Sequence, residues 1–577
     1  MDNHILQSFE RWEACVTDPE LREDLQHMRA CLAEDESVVE NAFFQVLEFG
    51  TAGLRGILGA GSNRMNIYTV GQATQGLAIY LNNHFENPSV AIAHDSRHKG
   101  VLFCEKIAEV LAANGIKAYL YPRLEPTPAL SYATRALGCS AGINITASHN
   151  PAEYNGYKVY GSDGCQITSA AVKEIQAAIA SVDMFTDVKT IPFEEALASG
   201  MASYIGEEVL DGFIGAVLEQ RAGIEAPQDG SDLKLVYTPL NGTGLECVER
   251  ILKCIGINDV TLVKEQAQPD GDFPTCTYPN PETKEALALG LEEVARQQAD
   301  LLVATDPDAD RAGIAVPHNG SYVLMTGNEV GILLTHWLAQ RCIEQGGDIA
   351  SKIVVTTIVS SSMIDILAQK QGFELRRTLT GFKYIGEQIG QLEAAGEPGR
   401  FLFGFEESYG YLAGTHVRDK DAIVATMLIC EMARDYKARG MDLVEAIEQL
   451  YDTYGYYKNS TLSFAYPGAQ GAQTMKTLMQ GLRSNPPAEV AGLKVINVID
   501  YATSAFMPTI NGNDNAKQTL PCADVFELDL EGGNKLIIRP SGTEPKIKAY
   551  SFATAPSAEE AEALKHTLED AARALLQ

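Results

Sequence analysis

A strand–helix–strand–helix–strand pattern occurs three times along the chain and limits the folds that it can adopt. Short runs rich in β-branched residues alternate with segments of helical character, which is typical of parallel sheets with crossover helices. The strand runs are VAIAHDS (90–96), IKAYLY and SAGINIT (140–146) in the first copy, KLVYTP (234–239), VTLV and DLLVAT (300–305) in the second, and KIVVTTIV (352–359), FELRRT and FLFGF (401–405) in the third. The copies share a pattern and not residue identity.

The last part of the chain has a different pattern. VFELDL, NKLIIR and KIKAYSF alternate like strands of a mixed sheet, and the final run, SAEEAEALKHTLEDAARALLQ, predicts an acidic amphipathic helix. We therefore predict an α/β protein with three similar mixed or parallel α/β domains and a smaller C-terminal α+β domain around a central cleft. The predicted domain boundaries are 1–215, 216–325, 326–455 and 456–577.

Each copy of the pattern ends its last strand in a polar loop. These loops are TASHNP, TDPDADR and GFEESYG. In open parallel sheets, ligands bind outside the carboxyl ends of the strands. We therefore expect the three loops to face one cleft.

The second loop predicts a metal site. In an extended loop, the carboxylates of Asp306, Asp308 and Asp310 project to one side, and three such acids are costly without a cation. An EF-hand calcium loop is excluded, because its sixth and twelfth positions would be Arg311 and Pro317 instead of Gly and Glu. Hard oxygen ligands suit Mg²⁺. The alternative is a solvated acidic turn.

The first loop carries Ser148, which follows a predicted strand and precedes His149. A serine-hydrolase site is disfavoured, because no G-x-S-x-G motif surrounds the serine and adjacent side chains of an extended segment point apart. A serine that carries phosphate and shares it with the magnesium loop is the better interpretation. His149 either takes part or only shapes the loop, and we expect this loop to be exposed.

The stretch RPSGTEPK (539–546) combines basic side chains, two hydroxyls and a glycine turn, which suits a phosphate dianion. The sequence contains no Gly-Lys dipeptide, which excludes a P-loop. No G-x-G-x-x-G fingerprint opens a helix after the first strand, which disfavours a Rossmann dehydrogenase.

In the third copy, Glu406 and Ser408 are two residues apart, as binding of neighbouring sugar hydroxyls requires. Lys420 lies further on, and Gly381 and Lys383 lie at a predicted helix start.

Together with FGTAGLRG (49–56) and YNGYK (154–158), these motifs resemble the α-D-phosphohexomutase family over nearly the whole chain. The resemblance implies that Ser148 is the phosphoserine and contributes to a site for one Mg²⁺ ion with the three aspartates. It implies that Arg55, Lys158 and Arg311 line the reacting phosphoryl group. With His149 beside the serine, the predicted catalytic residues are Ser148, Lys158, Arg55 and His149. The predicted substrate-binding residues are Arg311, Glu406, Ser408, Arg539, Ser541, Gly542 and Thr543, which the resemblance implies, and Gly381, Lys383 and Lys420, which their positions in the third copy indicate.

The family's reaction implies that phosphate moves between C1 and C6 of a hexose through the phosphoserine and a bisphosphorylated sugar. Glucose 1,6-bisphosphate would be both intermediate and activator. The proton acceptor would be Lys158, Arg55 or Lys420, and a lysine in this role needs a lowered pKa, which Arg55 and Arg311 are expected to provide.

The sugar loop favours glucose 1-phosphate and glucose 6-phosphate as the substrate pair. Family members that act on mannose or amino sugars often have GExSGH, whereas here Tyr411 follows Gly410. Phosphopentomutase and phosphomannomutase activities remain alternatives within the family. A non-catalytic phosphosugar-binding protein is the alternative from another class, because it would need neither Ser148 nor the aspartates.

The charge of the chain limits its partners. Its net charge is −31, from 45 Lys and Arg against 76 Asp and Glu, which disfavours binding to nucleic acid or anionic lipid. The sequence has no signal-like start and no run of about 18 apolar residues. Its 11 cysteines form no C-x-x-C pair. We expect a cytoplasmic monomer or weak homodimer with a small-molecule phosphosugar as partner, and no nucleic-acid or membrane partner.

Overall fold

The computed structural model describes residues 2–50, 53–225, 227, 232–466, 468–503, 506–508, 517–541 and 546–577. Three helices precede the first sheet: α1 (Asn3–Cys15), α2 (Pro19–Cys31) and α3 (Ser37–Phe43). Asp2 and Asp18 cap the first two, each accepting a backbone amide with its side chain. The apolar faces of the three helices meet around Phe9, Trp12 and Phe43.

Domain 1 contains a mixed sheet with helices on its faces. Its elements are β1 (Gly53–Ile57), α4 (Ile67–His84), β2 (Ser89–His94), α5 (Gly100–Ala113), β3 (Lys117–Leu120), α6 (Thr127–Ala136), β4 (Ala141–Ile145), β5 (Tyr154–Gly161), α7 (Ser169–Ala180), α8 (Phe193–Ala198), β6 (Ala202–Tyr204) and α9 (Glu207–Leu218). The strand order is β1-β5-β4-β2-β3-β6. Strands β2, β3, β4 and β6 are parallel, whereas β5 is antiparallel to both β4 and β1.

Domain 2 comprises β7 (Leu235–Thr238), α10 (Leu245–Cys254), β8 (Val260–Leu262), α11 (Lys264–Ala267), α12 (Lys284–Gln297), β9 (Leu301–Thr305), β10 (Ala312–His318) and β11 (Ser321–Met325). Its strand order is β11-β10-β9-β7-β8.

Domain 3 comprises α13 (Gly327–Glu344), β12 (Ile353–Thr357), α14 (Met363–Gln371), β13 (Glu374–Thr378), α15 (Phe382–Ala394), β14 (Phe401–Glu406), β15 (Gly410–Ala413), α16 (Ala422–Ala438) and α17 (Leu443–Tyr454). Its strand order is β13-β12-β14-β15.

Domain 4 contains β16 (Tyr456–Ala465), α18 (Gly468–Ser484), β17 (Glu489–Val490), β18 (Leu493–Asp500), β19 (Phe506–Pro508), β20 (Lys517–Thr519), β21 (Phe526–Leu530), β22 (Asn534–Pro540), β23 (Lys546–Ala555) and α19 (Ala558–Leu576). Its main sheet is antiparallel with the order β16-β23-β22-β21-β18-β17. Three α/β domains followed by an α+β domain confirm the predicted fold class. The predicted boundary at 215/216 falls inside α9, and the other two boundaries fall between elements.

The three α/β domains share one strand arrangement. In each, the first strand of the repeated pattern lies between the second and the third, and an antiparallel strand follows the third across a tight turn. Each of the three turns contains one non-glycine residue with left-handed backbone. These residues are Ser148 (φ 52°) in domain 1, Ala309 (φ 49°) in domain 2 and Tyr409 (φ 65°) in domain 3. The three polar loops of the sequence are therefore equivalent turns.

The first three domains share a continuous apolar core. Side chains from each of them, including Phe213, Leu252, Trp337 and Ile429, belong to one buried cluster. Domain 4 has its own core and packs against domain 3 through a smaller cluster, in which Val359 and Leu379 meet Tyr501 and Ile537.

Candidate active site

Ser148 lies in the turn between β4 and β5. Its amide donates to Oγ1 of Thr146 at 2.8 Å, and its Oγ donates to Oδ2 of Asp306 at 2.8 Å. The residue is only 3% exposed. The expectation of an exposed serine is therefore wrong, because the left-handed turn directs the hydroxyl into the contact between domains 1 and 2.

His149 lies beside the serine hydroxyl. Its Nδ1 is 3.3 Å from Ser148 Oγ, so the expectation that adjacent side chains point apart is also wrong. That expectation assumed an extended segment, whereas Ser148 has left-handed backbone. Burial of His149, together with the charges of Arg311 and Arg55, holds its pKa well below the usual value.

The backbone of the serine loop is held by Arg97, a buried residue that follows β2. Its guanidinium donates to the carbonyls of Ser148 (2.6 Å), Pro151 (2.7 Å) and Tyr154 (3.0 Å), and also to that of Asn150. An arginine suits this task, because its planar fork carries five donors in fixed directions.

The aspartate loop follows β9. The amide of Ala309 donates to the Asp306 carbonyl at 2.9 Å, which closes a tight turn. Oxygens of Asp306, Asp308 and Asp310 lie within 4.8 Å of one another, and all three residues are buried. The carboxylates thus converge as expected, although a turn brings them together and not an extended loop.

The carboxylate oxygens of this cluster are suitable ligands for a divalent cation. Asp308 Oδ1 and Asp310 Oδ1 are buried and have no hydrogen-bond partner among the described residues. Buried carboxylate oxygens of this kind need a partner, and hard oxygen ligands suit Mg²⁺. The three aspartates would hold one such ion, with Ser148 Oγ beside them. Bound there, Mg²⁺ would supply positive charge to phosphoryl oxygens.

Two lysines neutralise part of the negative charge. Lys158 Nζ lies 2.7 Å from Asp308 and 3.4 Å from Asp310, and Lys420 Nζ lies 3.2 Å from Asp310 and 3.0 Å from Asp419. Burial disfavours both ammonium groups, but the carboxylates outweigh it and raise the pKa of each lysine. The expected lowering of the Lys158 pKa is therefore wrong, because the aspartates contact its amine directly.

Two arginines flank the same loops. Arg311 Nη1 donates to Glu282 Oε1 at 3.0 Å, and its Nε lies 3.7 Å from Asp310 Oδ1. Arg55 is on β1, which pairs with β5, and its Nη1 donates to Oδ1 of Asn150 at 3.2 Å. The structure thus brings Arg55 to the serine loop and Arg311 to the aspartate loop.

The sugar loop of the sequence is the turn between β14 and β15. Glu406 is buried, and its Oε1 accepts the amide of Gly381 at 2.7 Å. Burial raises the pKa of Glu406, while Lys420, the Gly381 amide and Arg311 act in the opposite direction. Ser408 lies half-buried in the turn. Lys383 lies toward domain 1, where its carbonyl accepts Sγ of Cys165 at 3.4 Å, and burial lowers its pKa.

The predicted distal phosphate site begins on domain 4. Arg539 is on β22 opposite Lys548 of β23, and its positive charge acts against the rise in the pKa of Tyr550 that burial causes. Tyr550 lines one cavity together with Glu407 and Tyr409, so these strands face the sugar loop. The amide of Ser541 donates to the Lys546 carbonyl at 2.8 Å. Gly542 and Thr543 lie outside the described residues.

Sequence reasoning missed two residues that order the site. One is Arg97. The other is Thr127, whose Oγ1 donates to Asp308 Oδ2 at 2.9 Å and accepts Asn144 Nδ2 at 2.7 Å. Both follow earlier strands of the first copy. The rule that functional residues lie beyond carboxyl strand ends would have found them, had it been applied to every strand and not only to the last.

The repeated domains, the buried serine against a carboxylate cluster and the facing fourth domain define a phosphosugar-mutase class of fold and site. Family models for phosphoglucomutase/phosphomannomutase alpha/beta/alpha domains I, II and III match residues 46–185, 211–320 and 326–454. The chain belongs to this family, the α-D-phosphohexomutases, and is a phosphohexomutase, an isomerase.

Individual relatives agree with this assignment. The chain is 37% identical to a phosphoglucomutase of Staphylococcus aureus (strain bovine RF122 / ET3-1) over 530 residues, which is 91% of this chain and 93% of that protein. The open form of pp63/parafusin from Paramecium has 18% identity and a TM-score of 0.67 over 92% of this chain and 95% of its own. An Aspergillus fumigatus N-acetylphosphoglucosamine mutase in complex with GlcNAc-6P and magnesium has 14% identity and a TM-score of 0.51 over 97% of this chain and 100% of its own. These two structures share the fold.

None of the described helices combines enough length with enough apolar character to cross a bilayer.

Proposed function

We propose that the chain interconverts glucose 1-phosphate and glucose 6-phosphate, with Ser148 carrying the transferred phosphoryl group. The observation that supports this most is the 2.8 Å contact between Ser148 Oγ and Asp306 inside a carboxylate cluster that fits Mg²⁺. The phosphoglucomutase name of a 37% identical relative favours glucose over other sugars. Glucose 1,6-bisphosphate would be both intermediate and activator.

The transfer proposed here is reversible. The C6 hydroxyl of glucose 1-phosphate attacks the phosphorus of phosphoserine, a basic group takes the hydroxyl proton, and the bond from phosphorus to Ser148 Oγ breaks. The serine oxygen takes up a proton, and the product is glucose 1,6-bisphosphate. After this intermediate turns around, Ser148 Oγ attacks the C1 phosphate and glucose 6-phosphate leaves.

The side chains around the serine suit this exchange. Lys158 and Arg311 present positive charge beside the aspartates, where they would hold the phosphoryl oxygens. Glu406 would accept hydrogen bonds from ring hydroxyls, and Arg539 would bind the phosphate that is not reacting. Because either phosphate must reach Ser148, the far site must accept both ends of the sugar.

A panel of sugar phosphates tests this proposal. Initial rates with glucose, mannose, ribose and glucosamine 1-phosphates should be highest for glucose 1-phosphate. A higher kcat/KM for ribose or mannose 1-phosphate would assign a different family activity. Intact-mass spectra should show one phosphate adduct on the wild type and none on Ser148→Ala. Binding of glucose phosphates without turnover or adduct would identify a non-catalytic binding protein instead.

A further inference from the structure

The contact between domains 1 and 2 includes a second connection to the serine loop, which runs through Arg97 and Phe273. There the guanidinium lies against the ring of Phe273, with Arg97 Cζ 5.0 Å from the ring centroid. Arg97 and Phe273 are each only 3% exposed. The guanidinium is therefore enclosed between the serine loop of domain 1 and an aromatic ring of domain 2.

Phe273 has an unusual backbone conformation. Its φ is 45°, a left-handed value that bulky side chains rarely adopt and that persists only where surrounding contacts enforce it. Phe273 belongs to the segment 270–273, which we call the brace, and this segment is held by contacts with domain 1. A Cβ on Gly271 would lie only 2.9 Å from Ser96 O and from His98 N, so the brace sits directly on the turn that carries Arg97.

The brace is connected to the rest of domain 2. Cys276 donates its amide to the Phe273 carbonyl at 3.2 Å, and its side chain belongs to the buried cluster that also contains Leu302 and Ala304 of β9. Strand β9 leads directly into the aspartate loop. The brace and the metal-binding carboxylates thus belong to one packed unit.

We propose that Arg97 and Phe273 are positioning residues for phosphoryl transfer, through which domain 2 sets the serine loop against its own aspartates. Phe273 of the brace packs against the guanidinium, which donates hydrogen bonds to four loop carbonyls. The positions of those carbonyls determine where Ser148 Oγ lies relative to Asp306. The kinetic part of this proposal rests on the proposed function. Neither residue touches the reacting atoms, so both act through the position of the serine loop.

Two substitutions test the connection. Phe273→Leu keeps an apolar side chain but removes the aromatic ring, and Arg97→Lys keeps the positive charge but removes the planar guanidinium. Because a displacement of about 1 Å in a reacting group can cost roughly 100-fold in rate, we expect each to lower kcat about 10- to 100-fold. KM should stay within about twofold of wild type, because the sugar loop and Arg539 are unchanged. The double variant should lose little more than the worse single variant, since both act through one connection.

Phe9→Leu is the matched control, because Phe9 is also fully buried and lies under an arginine, with Arg29 Cζ 4.6 Å from its ring. It should lower the thermal midpoint as much as Phe273→Leu while leaving kcat unchanged. Multiplying effects in the double variant, or a kcat loss in Phe9→Leu equal to that in Phe273→Leu, would overturn the proposal.

Hydrogen exchange separates this proposal from the proposed function, because it needs no substrate. The amides of residues 148–154 should exchange faster in Phe273→Leu than in wild type, and not faster in Phe9→Leu. Unchanged exchange in Phe273→Leu would overturn the positioning role, whatever sugar the wild type converts. A wild type that converts no hexose phosphate, but whose loop exchanges faster when Phe273 is changed, would overturn only the proposed function.

Discussion

Ser148 Oγ donates to Asp306 Oδ2 at 2.8 Å although the two residues are 158 positions apart in the chain and belong to different domains. Both lie in the turn after the third strand of the repeated pattern, and the packing of domains 1 and 2 brings these equivalent turns together. The proposed nucleophile and the carboxylate cluster that could hold a cation therefore meet because a repeated fold places the same turn at the same edge of each sheet.

Ser148→Ala should abolish turnover while preserving the fold. Removing the proposed nucleophile is expected to lower kcat by roughly a thousandfold or more. Loss of one donor to buried Asp306 should cost about 1–3 kcal/mol of stability, which is small enough for the protein to remain folded. Coupled-assay kinetics measure this. The exposed Ser162 is the matched control, and near-normal turnover in Ser148→Ala would contradict the assignment.

Asp308→Asn should weaken binding of Mg²⁺. The residue is 0% exposed, and its Oδ2 already accepts Lys158 and Thr127, so the second oxygen is the one available to an ion. A neutral amide there should lower metal affinity by at least about tenfold. Calorimetric titration of the protein with Mg²⁺ measures the change. Asp259→Asn, on an exposed loop, should bind like wild type, and equal affinity in both variants would argue against the cluster.

Arg539→Ala should affect substrate binding more than the chemical step. Loss of a charge-assisted contact with the distal phosphate is expected to raise KM roughly 10- to 100-fold, with a smaller change in kcat. Steady-state kinetics with glucose 1-phosphate check this. Arg573→Ala removes an exposed arginine of α19 from the same domain and should leave KM unchanged. A KM in Arg539→Ala equal to that of the control would remove Arg539 from the phosphate site.

The fold was largely predictable from the sequence, whereas the site was predictable only in part. The parallel strands are short buried runs, so their pattern is visible without knowledge of long-range contacts. The conformation of Ser148 was not predictable in this way, because a left-handed serine depends on carbonyl contacts with Arg97, 51 residues away. The raised pKa of Lys158 was missed for a similar reason, since Asp308 reaches it from another domain.

His336 should make stability depend on pH below neutrality. It lies on α13, and burial, with a smaller contribution from Arg439, lowers its pKa to about 4. Its Nδ1 lies 2.7 Å from Nε2 of Gln371, an arrangement in which the neutral ring accepts a hydrogen bond. The unfolded chain, with a histidine pKa of about 6.5, binds a proton between pH 6.5 and 4 that the folded protein does not bind.

The contribution of His336 is therefore fully present above about pH 6.5 and is lost as the pH falls toward about 4. Between pH 7 and pH 4.5 it should lower the free energy of unfolding by roughly 2–3 kcal/mol. His336→Gln keeps a polar side chain that does not titrate, so its stability should decline less over this range. Urea unfolding at both pH values measures the difference, and His566→Gln, whose histidine side chain is 63% exposed, is the control. If His336→Gln and wild type lose equal stability over this range, the ring is not held neutral by burial.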